Sequence, residues 1–239
     1  MSRTILITGG GTGIGAAIAA RFTRNGDRVH ITGRRPDVLN QTATAIGATP
    51  ITCDHTDPGQ LLALLDQLPA EVDVLVNNAG GNTDFDAAVP GDLAAYAAAW
   101  RANLDANLLS AALTTRALTD RLAGGGAVVS IGSIAADTGA GAYGAAKAGL
   151  ASWNISLAAE LGPRAITANV VSAGYIEATE FFRDRLTDER RTRLVADTDT
   201  GRAGTVEDIA GTVHFLASPA ARQITAQVLN VNGGACPTR

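Results

Sequence analysis

Lysine is all but missing from this chain: of nineteen basic residues one, Lys147, is a lysine and the rest are arginine. Cysteine is nearly as scarce, at Cys53 and Cys236 alone. Two thiols so far apart, with His30, His55 and His214 isolated, offer neither a zinc motif nor a disulfide framework, so no metal is expected. Aromatic residues make up only 4% of the chain. No apolar stretch approaches the roughly 20 residues that span a bilayer, and the apolar run in MSRTILITGG is too short for the core of a signal peptide. Positive charge is not in excess either. The net charge is −4 and there is no basic arm, so nothing favours nucleic acid or an anionic membrane. A cytoplasmic enzyme or binding protein is expected.

What the chain does have is rhythm. Short apolar, β-branched runs at 4–8, 28–32, 50–54, 72–78, 126–133 and 165–172, and a last one in AQVLNVNG, read as strands. Helix-like stretches separate them: GIGAAIAARFTRNG, about 36–46, DPGQLLALLDQL with Asp57 as its cap, about 92–122, 141–161 and 205–216. The strands are apolar without alternation, as when both faces of a parallel sheet are covered. Strands and helices alternating throughout predict one α/β domain over residues 1–239: a doubly wound parallel sheet in three α/β/α layers. Residues 175–204 break the rhythm and read as short helices forming a lid over an opening. Phe181 and Phe182 stand out there in a polar stretch. Arg183, Arg185, Arg190, Arg191 and Arg193 are interleaved with Glu177, Glu180, Asp184, Asp188 and Glu189, the pattern of a salt-bridged surface helix.

The first strand runs into TGGGTGIG, residues 8–15. Gly9 allows a tight turn, Gly13 lets the backbone approach a pyrophosphate, and Gly15 permits close packing of helix on strand. The following helix turns its N-terminus toward the phosphates of a dinucleotide. Thr12, between the glycines, adds no charge. Where a site for NAD places a carboxylate at the end of the second strand, this chain has Gly33, Arg34 and Arg35. An arginine there can hold the 2′-phosphate of NADP, Arg34 being the better placed; the alternative is an exposed basic loop. Asp54 is either an acceptor for an adenine amino group or a helix cap. NNAG, residues 77–80, is by itself a turn.

Tyr143 and Lys147 lie four residues apart on a predicted helix and so share a face. An ammonium beside a phenol, together with the positive nicotinamide of an oxidised cofactor, favours the phenolate and is expected to lower the tyrosine pKa from about 10. The tyrosine then serves as an acid for ketone reduction and a base for alcohol oxidation. A compact, titratable ammonium suits that task and a planar, permanently charged guanidinium does not. The structural alternative is a core tyrosine with a snorkelling lysine.

In this order and spacing, TGGGTGIG, NNAG, Asn107-Leu108, SIGS ending at Ser133, YGAAK and VLNVNGG resemble the short-chain dehydrogenase/reductase family, and within it the bacterial 3-oxoacyl-carrier-protein reductase type. The resemblance covers nearly the whole chain and implies a Rossmann-type fold. It implies Ser133 as the hydroxyl that polarises a substrate carbonyl and Tyr143 as the acid. Lys147 would hold the nicotinamide ribose, and Asn107 would bend its helix and hold a water chain to Lys147. It implies NADP(H) contacts from Gly9, Thr12, Gly13, Ile14, Gly15, Arg34, Arg35, Asp54, Asn78, Ala79, Gly80, Tyr143, Lys147, Gly174, Ile176 and Thr179. The backbone of Ile176 would hold the carboxamide. The chain departs from the family in a Ser133–Tyr143 segment about three residues short, Ala173-Gly174 where the family has Pro-Gly, Thr179 one residue late, and ITAQ, with Ala226, for ITGQ. The expected function is NADPH-dependent reduction of a ketone, free or carried as a 3-oxoacyl thioester. An alcohol dehydrogenase for a steroid, sugar or specialised metabolite, or a non-catalytic NADP-binding regulator, stays open. A homotetramer or homodimer is expected, with Trp153 on the outward face of the Tyr143 helix.

Overall fold

Seven apolar segments pair in parallel into one sheet, and their order fixes where a ligand can sit. The computed structural model describes residues 2–85 and 91–238; the side chain of Asp184, one of the lid carboxylates, lies outside the described residues. The strands are β1 (Thr4–Thr8), β2 (Arg28–Gly33), β3 (Thr49–Thr52), β4 (Val72–Asn77), β5 (Leu122–Ser133), β6 (Thr167–Ala173) and β7 (Val228–Val231). They lie in the order β3-β2-β1-β4-β5-β6-β7. Chain direction across the sheet reverses between β1 and β4, and ligands of open α/β sheets bind at such a switch point, beyond the C-terminal strand ends.

The helices are α1 (Gly13–Arg24), α2 (Pro36–Ile46), α3 (Pro58–Leu65), α4 (Leu93–Leu104), α5 (Ser110–Leu118), α6 (Ala135–Thr138), α7 (Gly141–Leu161), α8 (Asp188–Ala196) and α9 (Val206–Leu216). Side chains of α1, α2 and α9, among them Ile18, Phe22, Leu39, Ile209 and Val213, pack on one face of the sheet. Leu61 and Leu64 of α3, Leu118 of α5 and Leu157 and Leu161 of α7 pack on the other. Each large side chain so enclosed contributes on the order of 1.5–3 kcal/mol, and together they hold the strand ends in register. Asp57 caps α3, accepting from the Gly59 and Gln60 N–H groups. Thr205 and Asp208 form a reciprocal capping box on α9. Among the described residues no helix is long and apolar enough to cross a membrane.

Three expectations change. The single helix expected over 92–122 is α4 and α5 joined by a π-helical turn at Asp105–Leu109, followed by a 3-10 turn at Thr119–Arg121, with β5 already begun at Leu122. The third strand ends at Thr52, so Asp54 stands two residues beyond it. Trp153 does not face outward: it packs against the core on the α7 side of the sheet, and the outward apolar residue of that helix is Ile155. Ala226, in the place of the family's glycine, takes φ +59°, the left-handed region that disfavours a side chain.

Candidate active site

One large cleft, about 1120 Å³, opens at the C-terminal ends of the strands and runs from the β2–α2 turn to the residues after β6. Its floor is the glycine-rich turn. Gly9 takes φ +65°, which lets the chain reverse after β1. At Gly15 a Cβ would fall 2.2 Å from the Gly9 carbonyl oxygen, so only glycine lets α1 start this close to the strand. Thr12 precedes α1 with no side-chain capping bond, and no acidic residue occupies the first turn. The first intrahelical bond is donated by Ala16 to Thr12, which leaves the N–H groups of Gly13, Ile14 and Gly15 ahead of it at the positive end of the helix dipole. That donor set fits a pyrophosphate.

NNAG is stitched to this turn. The Asn78 and Ala79 N–H groups donate to the Thr8 hydroxyl at 3.0 and 2.8 Å, and the Asn78 carboxamide donates to the Thr8 and Gly9 carbonyls at 3.0 and 2.9 Å. The Asn78 side chain thus shapes the turn. Thr8, the residue that joins the two strand ends, carried no signal beyond its place at the end of β1.

The adenosine end is set by β2. Arg34, Arg35 and Asp54 all line the cleft there. Arg35 pairs with Glu180 of the lid at 2.8 Å, whereas the charge of Arg34 acts on Asp54. Asp54 caps no helix; its carboxylate accepts from the N–H and hydroxyl of Thr56 at 3.0 and 2.8 Å, and these bonds hold it below the usual carboxylate range. Next to it His55 is buried between the hydroxyls of Thr32 and Thr114, at 2.6 and 2.7 Å. Burial pushes it down to about 4. Sequence reading left this residue as an isolated histidine, and no spacing motif could have found it, because its partners sit on β2 and α5.

At the other end Ser133, the last residue of β5, stands close enough to Tyr143 of α7 to draw its hydroxyl pKa down. Lys147 is buried one turn on and donates to the Ile131 carbonyl at 2.8 Å. Its ammonium lies 5.8 Å from the centroid of the Tyr143 ring, over its face. In the protein alone the ammonium does not lower the tyrosine. Burial dominates and raises Tyr143 to about 12 against the pull of Ser133, and burial lowers Lys147 to about 8. The pair is a protonated phenol beside a lysine that titrates near neutrality.

Asn107 sits inside the π-helical turn. Its carboxamide accepts from the Gly81 N–H at 3.0 Å and donates to the Gly81 and Asn103 carbonyls, both at 2.9 Å. The widened turn thereby locks the helix to the loop after β4, with Gly80 against the same side chain. Insertions of this kind concentrate at functional sites. Beyond β6, Gly174 donates to the Val231 carbonyl at 3.1 Å. The Ile176 carbonyl accepts from the Thr179 hydroxyl at 3.2 Å, and the Thr179 side chain stands beside Gly13 across the cleft. Every expected site residue thus lies in or against one cleft, Asn107 as its support. Phe85, from the loop after β4, is a lining residue that sequence reading missed.

Known proteins share this plan. A family model described as Enoyl-(Acyl carrier protein) reductase matches residues 9–236. The 3-oxoacyl-[acyl-carrier-protein] reductase FabG of Escherichia coli (strain K12) is 36% identical over 96% of this chain and 95% of its own length. A 7α-hydroxysteroid dehydrogenase solved with NADH and 7-oxo glycochenodeoxycholic acid superposes with a TM-score of 0.89 at 31% identity, over 97% of this chain and 93% of that one. A short chain dehydrogenase from Burkholderia cenocepacia J2315 solved with NADP gives 0.86 at 31% identity, over 98% and 97%. Alike in sequence and in fold along almost its full length, the chain belongs to the short-chain dehydrogenase/reductase family of oxidoreductases and resembles its 3-oxoacyl-[acyl-carrier-protein] reductases.

Proposed function

We propose that the protein is an NADPH-dependent carbonyl reductase that converts a ketone to a secondary alcohol. The observation that carries this reading is the convergence of Ser133, Tyr143 and Lys147 at the end of one cleft. A bound nicotinamide dinucleotide supplies hydride. The chain's own residues do the rest. The Ser133 hydroxyl orients the carbonyl oxygen toward Tyr143. Tyr143, protonated at neutral pH, gives its proton to that oxygen as negative charge develops. Lys147 places a positive charge below the ring, stabilises the tyrosine as it loses its proton, and would hold the nicotinamide ribose. Asn107 keeps the loop after β4 in place and would anchor a water leading to Lys147.

The glycine turn would take the pyrophosphate, Arg34 and Arg35 the 2′-phosphate, Asp54 the adenine, the backbone of Asn78, Ala79 and Gly80 the adenosine side of the nicotinamide half, and Gly174, Ile176 and Thr179 the carboxamide end. A relative solved with NADP and another solved with NADH leave the choice of dinucleotide to the chain's own residues, and two arginines at the end of β2 favour the phosphorylated one. The working form is a homotetramer or homodimer. The test is consumption of NADPH, against NADH, with a panel of ketones and β-keto thioesters. Turnover of a ketone with NADPH favoured supports the reading; tight NADPH binding with no ketone reduced would mean a regulator instead.

A further inference from the structure

The chain is poor in aromatic residues, with five phenylalanines, three tyrosines and two tryptophans, yet five of these ten line one end of one cleft: Phe85, Tyr143, Tyr175, Phe181 and Phe182. They come from separate elements and touch as a network. Phe181 lies 5.6 Å from the Tyr143 ring, 5.8 Å from Phe85 and 5.0 Å from Phe182. Phe182 lies 5.8 Å from Tyr175 and 6.0 Å from Phe85. The interplanar angles run from 38° to 86°, so ring faces and ring edges are both presented. Two adjacent phenylalanines turn toward the cleft because the backbone is bent on either side of them: Ala178 and Arg183 take φ +54° and +50°, conformations that persist only where the surroundings hold them.

The rings share the cleft with the small apolar Ile134, Ala135 and Ala140 and with the polar Thr83, Thr138 and Arg183. Three of its charges are engaged. The Arg190 guanidinium lies over the Phe182 ring at 5.4 Å, Glu180 is bound to Arg35, and Lys147 is buried beneath the tyrosine. A linear thioester brings amide and thioester groups that need polar partners, and rings offer few. A flat or alicyclic ring system finds what it needs: offset and edge-to-face contacts from rigid side chains that lose little entropy on binding.

We propose that the substrate is a ketone borne on an apolar ring system, bicyclic or larger, gripped between Phe85, Phe181 and Phe182 with its carbonyl at Tyr143. This rests on the carbonyl-reductase reading and narrows it. The test compares kcat/KM with NADPH for 1-tetralone and for the N-acetylcysteamine thioester of acetoacetate, in the wild type and in Phe181→Leu, Phe181→Tyr and Phe181→Ala. The wild type should favour the bicyclic ketone about tenfold or more. Phe181→Leu, which keeps bulk and removes the ring, should raise KM for the bicyclic ketone by about fivefold or more, a larger factor than for the thioester; Phe181→Tyr should restore it. Should the alanine variant fail to fold, the leucine and tyrosine pair still decides. A wild type that favours the thioester overturns the proposal and leaves the reductase standing. So does a gain in bicyclic turnover in Phe181→Leu or Phe181→Ala, which would make Phe181 a plug and not a wall. Neither substrate reduced, with NADPH bound, would instead overturn the reductase reading itself.

Discussion

At the scale of single residues, the lone lysine is explained by where it is buried. Lys147 is buried, donates to one carbonyl, and is brought by burial to about 8. Lys147→Arg keeps a positive charge and loses the compact donor. Turnover should fall by about 100-fold or more, with circular dichroism unchanged; near wild-type kcat would remove Lys147 from the mechanism. His55 makes a second prediction. Its pKa in the fold, about 4, is below the unfolded value of about 6.5, so the unfolded chain binds the proton first. Stability is therefore full above about pH 6.5 and is lost as pH falls toward 4, by on the order of 3 kcal/mol. His30 and His214 shift in the same direction. His55→Gln isolates the share of His55: urea titrations at pH 7.5 and 4.5 should show a smaller loss in the variant, and equal losses would contradict the assignment.

At the scale of elements, the proposed choice of NADPH rests on the β2–α2 turn. Arg34 is the better candidate because Arg35 is shared with Glu180 of the lid. The wild type should prefer NADPH over NADH by about tenfold or more in kcat/KM, some 1.4 kcal/mol, and Arg34→Asp should abolish or reverse that preference. Equal use of both by the wild type would contradict it. The sequence made α7 legible to the residue, since an apolar stretch bounded by Gly141 and Gly162 has little freedom in where it begins and ends. It also located the glycine turn and the Tyr143–Lys147 pair, which depend on local spacing. Local spacing did not reveal the π-helical turn; only the family resemblance implied a bend at Asn107. Taken alone, Asn107 reads as any polar helix residue until its carboxamide is seen bound to Gly81, 26 residues away in sequence. The start of β5 was hidden for another reason: Leu122 is followed by Ala123 and three glycines, which suggest a loop, and pairing with Val72 of β4 makes it a strand. Spacing shows that a lysine is near the tyrosine, not that in the protein alone burial outweighs its charge.

At the scale of the whole molecule, the sheet places binding and chemistry at one edge and leaves apolar surface at another. α4 and α7 pack side by side and expose Leu93, Tyr96 and Ile155, with Leu109 of the π-helical turn. Apolar residues gathered on neighbouring helices suit a self-complementary two-fold contact. Light scattering at micromolar concentration should give a dimer or tetramer of the 24.3 kDa chain, and a monomer would contradict this. The central claim is that Tyr143 supplies the proton when a ketone is reduced. It is tested most directly by NADPH-dependent ketone turnover in the wild type and in Tyr143→Phe, with NADPH affinity measured for both. The account predicts that the wild type reduces a ketone while the variant loses about 100-fold or more in kcat and still binds NADPH. Turnover in Tyr143→Phe within a few-fold of the wild type would contradict it.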